Sequence, residues 1–394
     1  MGACYKDGAL RSTQAIIDTD ALAENLGVVR KRIGNRRVLA MVKANAYGHG
    51  MVGVSRVLEH VGVDVLGVAF VDEAVRLRES GVRMPIVVLT PFELHDCDTI
   101  AALQLDVVIA DETRLRALAS AASGAGCVVR CHVFVDTGMH RDGIEPSKAA
   151  AFATMVASQP HLELRGICTH LASADDPLEE YNHQQLEAFE LVVQELAAMG
   201  HSVPDVHVAN TGAIWNLPTS MCTMVRPGLS LYGYEPTLGR SVDLRPVMSI
   251  VTSVLSMRSV NAGDTVSYGR RWTSNVPTEI ATIPIGYGDG YSRGLTGSAH
   301  VLVHGRRVPV VGTICMDECM LDVGGLDVEV GDDVVVLGRQ LWHGHESAID
   351  AVDLASWANT IPYEVTTAVS SRVPRVFTGT HAQIANQHMQ GGHV

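Results

Sequence analysis

The chain has 394 residues, 47% of them hydrophobic and 19% charged, and its 30 basic and 43 acidic side chains give a formal charge of −13. Such a composition supports a large buried core and excludes wholesale disorder, and the length fits two domains or one large α/β barrel with an addition. An acidic chain without a basic block argues against a nucleic-acid or anionic-membrane partner, and the scattered glycines and prolines exclude collagen-like and low-complexity classes.

The N-terminus, MGACYKDGALRST, has no apolar stretch behind a basic start, so no signal peptide is expected. No apolar run is long enough to span a bilayer. The eight cysteines include no CxxC pair, and most lie inside apolar runs such as GICTH, where a reduced, buried thiol is the simplest reading. These features predict a cytoplasmic protein with no membrane partner.

From about residue 18 to 235, short apolar runs alternate with amphipathic stretches. VLAMVK (38–43), VDVLGVAF (63–70), MPIVVL (84–89), LDVVIA (105–110), VVRCHVFVD (128–136) and LELRGICTH (162–170) predict buried strands. The segments DEAVRLRESG, DETRLRALASAASG and YNHQQLEAFELVVQELAAMG between them have helical spacing, polar starts and glycine stops. PDVHVAN (204–210) and MCTMVRPG (221–228) bring the count to about eight strands. The alternation implies α/β architecture with a parallel sheet. Eight such units favour a closed (β/α)8 TIM-like barrel, with an open sheet as the alternative.

From about 240 the helical patterns vanish. VMSIVTSVLSMRSV, TEIATIPIG, AHVLVHGRRVPVVG, MLDV and DDVVVLG are β-rich runs split by turn residues, which predicts a mostly β C-terminal domain. The expected organisation is a short N-terminal segment over 1–18, a barrel over 19–238, a β-rich domain over 239–380 and a loose polar tail over 381–394. HGHE (343–346) lacks a helical histidine pair and a clear third ligand, so it reads as a surface turn and no metal is expected. Cys315 and Cys319 read as core packing on a strand.

Two features suggest chemistry. Lys43 closes the first apolar run and is followed by a glycine-rich loop. A lone lysine usually snorkels to water, but one at a barrel strand end is partly desolvated, and its amine can form a Schiff base with an aldehyde cofactor. MVRPGLSLYG (224–233) falls near the last strand, where backbone N–H groups commonly bind phosphate, and Arg226 adds a fixed charge. A Schiff-base lysine facing a phosphate cradle is what pyridoxal phosphate requires.

VLAMVKANAYGHG closely resembles the cofactor-lysine signature of alanine racemases. The resemblance continues collinearly through FVDTGMHRDGI, GICTHLASAD, HVANTGA, MVRPGLSLYG, VSYGRRW, IGYGDGYSRG, GTICMDECM and SSRVPRVF, from about residue 13 to 377. It implies a pyridoxal-phosphate barrel followed by a β domain, to which TQAIIDT (13–19) contributes a strand, and a role in supplying D-alanine for peptidoglycan precursors. Carried over, Lys43 is the cofactor-linking lysine and one catalytic base, and Tyr268 is the other, on the opposite face of Cα. Tyr47, Thr211, Gly228 and Leu229 are phosphate contacts, with Asn210 supporting that loop. His170 links the catalytic tyrosine to Arg226, which contacts the pyridine nitrogen. Arg141 and the backbone of Met316 bind the substrate carboxylate, and Asp317, Tyr287 and Asp289 are supporting or entrance groups. Tyr268 and Met316 come from the partner subunit, so a head-to-tail homodimer with shared active sites is implied. Taken without the resemblance, Tyr268 reads as a half-buried strand tyrosine and His170 as a core histidine.

Two positions depart from the family pattern. Phe134 stands where members often carry a modified lysine that orients the carboxylate-binding arginine. Ser371 stands where a tyrosine usually touches the phosphate and narrows the pocket. Three readings follow: an amino-acid racemase for alanine or a broader set including serine, lysine or ornithine; a related barrel decarboxylase; and a non-catalytic pyridoxal-phosphate carrier. Arg226 argues against the decarboxylase, whose group keeps the pyridine nitrogen protonated with an acid. The long β domain argues against the carrier.

Overall fold

The computed structural model describes residues 11–217, 222–235 and 242–387, which fall into two compact units. The first strand, β1 (Gln14–Asp18), belongs with the C-terminal part of the chain. Eight strands then build the other unit: β2 (Arg37–Met41), β3 (Val65–Val68), β4 (Ile86–Val88), β5 (Asp106–Ile109), β6 (Val129–Phe134), β7 (Leu162–Cys168), β8 (Asp205–His207) and β9 (Met224–Val225). Their order is β8-β7-β6-β5-β4-β3-β2-β9, all parallel. Between the two end strands, Thr223 N donates to Val206 O at 3.0 Å and Arg226 N to Ala209 O at 2.7 Å. The sheet therefore curls into a near-closed (β/α)8 barrel.

Residues within the middle strands are buried throughout, because helices cover one face and the barrel interior covers the other. The helices begin and end on local signals. Asp111 caps Glu112–Ala125, accepting from Arg114 N, and Gly126 closes it at φ 64°. Pro146 opens Pro146–Ala157, where its missing N–H costs nothing. Ion pairs stitch the N-terminal strand ends: Asp205 takes Arg37 and Arg165, and Asp106 takes Arg130 at 2.8 Å. The opposite mouth, at the C-terminal strand ends, is the one such barrels use for chemistry.

The second unit is mostly β. Its main sheet runs 256–260, 278–283, 319–322, 306–311, 300–303, 333–342, 248–253, β1, 375–378, with 345–349 paired to 333–342. β1 is antiparallel to Met248–Ser253 and parallel to Arg375–Thr378. Helices do not vanish here as the sequence suggested. Ala351–Ala358 starts on Asp350, whose carboxylate accepts from Val352 N and Asp353 N, and ends on Asn359 in the left-handed region. Pro362–Thr367 follows it.

Three further expectations meet the structure. His343 and Gly344 form the turn between Asp333–Trp342 and His345–Ile349. Cys319 begins a strand and is buried, whereas Cys315 lies in the preceding loop and is half-buried, so the two do not share a strand. The expected loose tail contains a helical turn, Ala382–Ala385, and Arg56 donates to the carbonyls of Ala385 and Gln387; residues 388–394 lie outside the described residues. Among the described residues no helix is long and apolar enough to cross a membrane.

Candidate active site

Lys43 follows β2, whose end is fixed by Met41 N donating to Pro227 O at 3.0 Å and Val42 N to Gly67 O at 2.8 Å. The chain then reverses hand. Ala44, Asn45, Ala46 and Tyr47 take φ of 51°, 56°, 54° and 53°, a left-handed helical turn in which Ala46 N donates to Val42 O at 2.8 Å. Asparagine tolerates this region, and Asn45 Oδ1 accepts from Met51 N at 2.9 Å; for alanine the conformation costs about 1–2 kcal/mol. The Ala44 side chain is exposed, so Ala44→Gly removes strain without removing packing. We expect it to raise stability by about 1 kcal/mol and Tm by a few degrees, read by thermal denaturation; an unchanged or lower Tm would show that the turn holds no such strain.

Burial and the charge of Arg141 hold the Lys43 amine below its ordinary value, with Arg226 adding to the effect and Glu73 opposing it. Arg226 follows β9 and is buried. Its Nη1 donates to His207 O (2.6 Å) and His207 Nδ1 (3.0 Å), and its Nη2 to Thr169 O (2.8 Å), Val208 O (3.1 Å) and His170 Nδ1 (3.3 Å). None of these partners is a carboxylate. A guanidinium only donates, so His170 Nδ1 accepts and its proton sits on Nε2. Burial, then Arg226, Arg141 and Lys43, push His170 down to about 3, so it is neutral.

The hydrogen-bond chain continues inward from Arg226. His207 Nδ1 accepts from Arg226, so its Nε2 carries the proton and donates to His132 Nδ1 at 2.9 Å. Burial pushes His132 down to about 4 and His207 well below its ordinary value. A Cβ on Gly166 would fall 2.0 Å from His132 Nδ1, so glycine is needed there to seat the ring. Sequence reading missed both histidines, because an isolated histidine in an apolar strand gives no sign of what it faces.

The loop expected to cradle phosphate forms at the same mouth. Asn210 caps the short helix Thr211–Asn216, accepting from Ala213 N at 3.0 Å. A Cβ on Gly212 would meet Asp175 Oδ1 at 2.5 Å, so the first helical turn sits hard against the preceding loop. Gly228 N, expected to face phosphate, donates to Thr211 Oγ1 at 2.9 Å, which ties the two loops together; Leu229 begins the next helical turn. Arg141 lies half-exposed, its Nε 3.2 Å from Asp142 Oδ2. Phe134 is buried at the end of β6, and the charged partner of Arg141 is its chain neighbour Asp142.

The remaining residues belong to the other unit. Tyr47 is buried there, its ring centroid 6.0 Å from that of Tyr363, and burial raises its hydroxyl well above the ordinary value. Tyr268 is not a half-buried strand residue: it opens the turn between Thr265–Val266 and Trp272–Thr273 and is 73% exposed. Its carbonyl accepts from Thr313 Oγ1 at 2.7 Å. Tyr287 and Met316 are also exposed, at 42% and 52%, and are joined through Gly288 N donating to Met316 O at 2.9 Å. Asp317 accepts from Arg372 Nη2 at 2.7 Å, beside exposed Ser371. Asp289 is no entrance group: it is buried and takes both Arg11 Nη atoms, at 2.6 and 2.7 Å.

Comparison with known proteins covers nearly the whole chain. Residues 17–236 match the family described as alanine racemase, N-terminal domain, and 247–377 match alanine racemase, C-terminal domain. An alanine racemase of Cutibacterium acnes is 40% identical over 371 residues, 93% of this chain and 98% of that protein. The alanine racemase of Bacillus anthracis with bound L-Ala-P superposes with TM-score 0.87 at 33% identity, covering 95% of this chain and 96% of that one. That of Bartonella henselae with covalently bound pyridoxal phosphate gives TM-score 0.83 at 27% identity, covering 93% and 99%.

Proposed function

The chain belongs to the alanine racemase family, and from that premise we propose that it interconverts L- and D-alanine using pyridoxal phosphate carried on Lys43. The observation that carries this reading is the pairing of a desolvated lysine with a buried arginine whose partners are carbonyls and neutral histidines. Pyridoxal phosphate, when bound, supplies a ring that withdraws electrons from Cα and so acidifies the Cα–H bond. Arg226 would meet the pyridine nitrogen as a donor and, unlike an acid, would not protonate it, which favours racemisation over the decarboxylase alternative. Thr211, Asn210, Gly228, Leu229 and Tyr47 would hold the phosphate end, and Arg141 with the backbone of Met316 would hold the substrate carboxylate.

Racemisation needs one group to remove the Cα proton and another to deliver a proton to the opposite face. Lys43, its amine depressed by burial, serves the D face, and Tyr268 the L face. The exposure of Tyr268, Tyr287 and Met316 supports a head-to-tail homodimer in which a second copy of the chain supplies Tyr268. Incubating L-alanine with protein and cofactor tests the activity: D-alanine accumulates toward a 1:1 mixture. Unchanged L-alanine, or an amine product, would overturn it.

Ser371 in place of a phenol ring supports a pocket that accepts serine or a longer polar side chain beside alanine. One methylene changes selectivity by only about 1–3 kcal/mol, so the range broadens without losing alanine. Ser371→Tyr should raise the kcat/KM preference for alanine over serine, lysine and ornithine by about tenfold. An unchanged ratio would remove Ser371 from specificity.

A further inference from the structure

Glu73 lies near the start of Val71–Glu79, three residues after Phe70, and is buried. In sequence it reads as an ordinary first-turn acid of an amphipathic helix. Its carboxylate instead turns back to the mouth of the barrel. Oε1 accepts from Ala44 N at 2.6 Å, and Oε2 accepts from Ala69 N at 2.8 Å and Phe70 N at 3.3 Å. Ala44 is the residue after Lys43 and the first of the left-handed turn. One buried carboxylate thus bolts the backbone that carries Lys43 to the junction between β3 and the following helix.

We propose that Glu73 is a positioning residue for Lys43: it clamps the left-handed turn and so fixes where the lysine amine stands. This rests on the reading of Lys43 given above. Without the clamp, the turn loses the bond that holds its first residue, Ala44, and a displacement of about 1 Å at a reacting group costs on the order of a hundredfold in rate. The carboxylate has a second effect. Among the charges facing Lys43, Arg141 and Arg226 lower its affinity for a proton and Glu73 raises it. Glu73 therefore limits how far burial and the two arginines depress the amine.

Glu73→Gln keeps the shape, removes the charge and leaves one acceptor where there were two. The chain has only four lysines, Lys6, Lys31, Lys43 and Lys148, so the pH dependence of amine acylation can be followed residue by residue by mass spectrometry on the full-length, cofactor-free protein. The Lys43 midpoint should fall by about half a pH unit or more in Glu73→Gln, since an anion that stabilised the ammonium form is gone; exposed Lys148 serves as the unchanged reference. In the loaded enzyme, kcat should drop at least about tenfold with KM within about twofold, and the acid limb of the kcat profile should move to lower pH. Glu73→Asp keeps the charge but is a methylene short. It should leave the Lys43 midpoint near that of the unaltered protein while losing part of kcat.

A fall in Tm with both the Lys43 midpoint and kcat unchanged in Glu73→Gln would overturn the proposal, leaving Glu73 a structural cap. If Glu73→Gln does not fold, full kcat in Glu73→Asp overturns it equally. Lys43→Ala separates the two levels of inference. If that variant turns over, the reading of Lys43 itself fails; if it is dead while Glu73→Gln behaves as the unaltered protein, only the role of Glu73 fails.

Discussion

Replacing Lys43 with alanine is expected to abolish turnover and the covalent capture of pyridoxal phosphate together. On the proposed mechanism the variant loses two functions through one atom, because the Lys43 amine would both anchor the cofactor and exchange a proton with Cα. Proton transfer by a positioned base contributes about 10²–10⁴-fold on its own, and loss of covalent anchoring adds to that. The side chain is only half-buried and lies in a turn held by main-chain bonds of its neighbours, so the fold should survive. Purified protein should be yellow, and borohydride should fix the cofactor to the peptide containing Lys43. A variant that keeps both the yellow band and the borohydride-stable linkage would remove Lys43 from the mechanism.

Tyr268→Phe should have the next largest effect, and a one-sided one. With Tyr268 serving the L face, the variant loses abstraction from L-alanine by about 10²–10⁴-fold, while exchange of the D-alanine α-proton by Lys43 survives. The ring is exposed and makes its local bond through its carbonyl, so phenylalanine keeps the turn. Exchange in deuterated water, followed separately for each enantiomer, reads the asymmetry. Equal loss on both sides would contradict the division of labour. The same variant tests the proposed dimer. Mixing Lys43→Ala with Tyr268→Phe subunits should restore about a quarter of full activity, because half of the mixed dimers are hybrids and each hybrid has one intact site. No recovery after subunit exchange would place both bases on one chain.

Much of the barrel was legible because parallel strands buried on both faces are apolar throughout, and β3 and β4 leave that signature in the sequence. Strand bounds were less legible: MCTMVRPG (221–228) reads as one strand, whereas β9 extends only from Met224 to Val225 before Gly228 N turns to Thr211 Oγ1. The helix Ala351–Ala358 carried its signals openly in Asp350 and Asn359, yet stands among β runs that masked it. In the site, Lys43 and Arg226 were recognisable from motif and position. The left-handed turn was not, since two alanines have no preference for that hand and adopt it here under constraint from Glu73 and Asn45. Glu73, His207 and His132 were hidden for a shared reason: each acts through what it faces across the barrel, and a single sequence does not show facing pairs.

The measurement that bears most directly on two-base racemisation is the isotopic content of the first product. L-alanine carrying an ordinary α-proton is incubated with the enzyme in deuterated water, and both enantiomers are separated and weighed by mass at low conversion. If Tyr268 removes the proton and Lys43 delivers another from the opposite face, the D-alanine formed carries solvent deuterium while the remaining L-alanine is little exchanged. D-alanine that retains the original α-proton would mean that one base carries it from face to face, and would contradict the account.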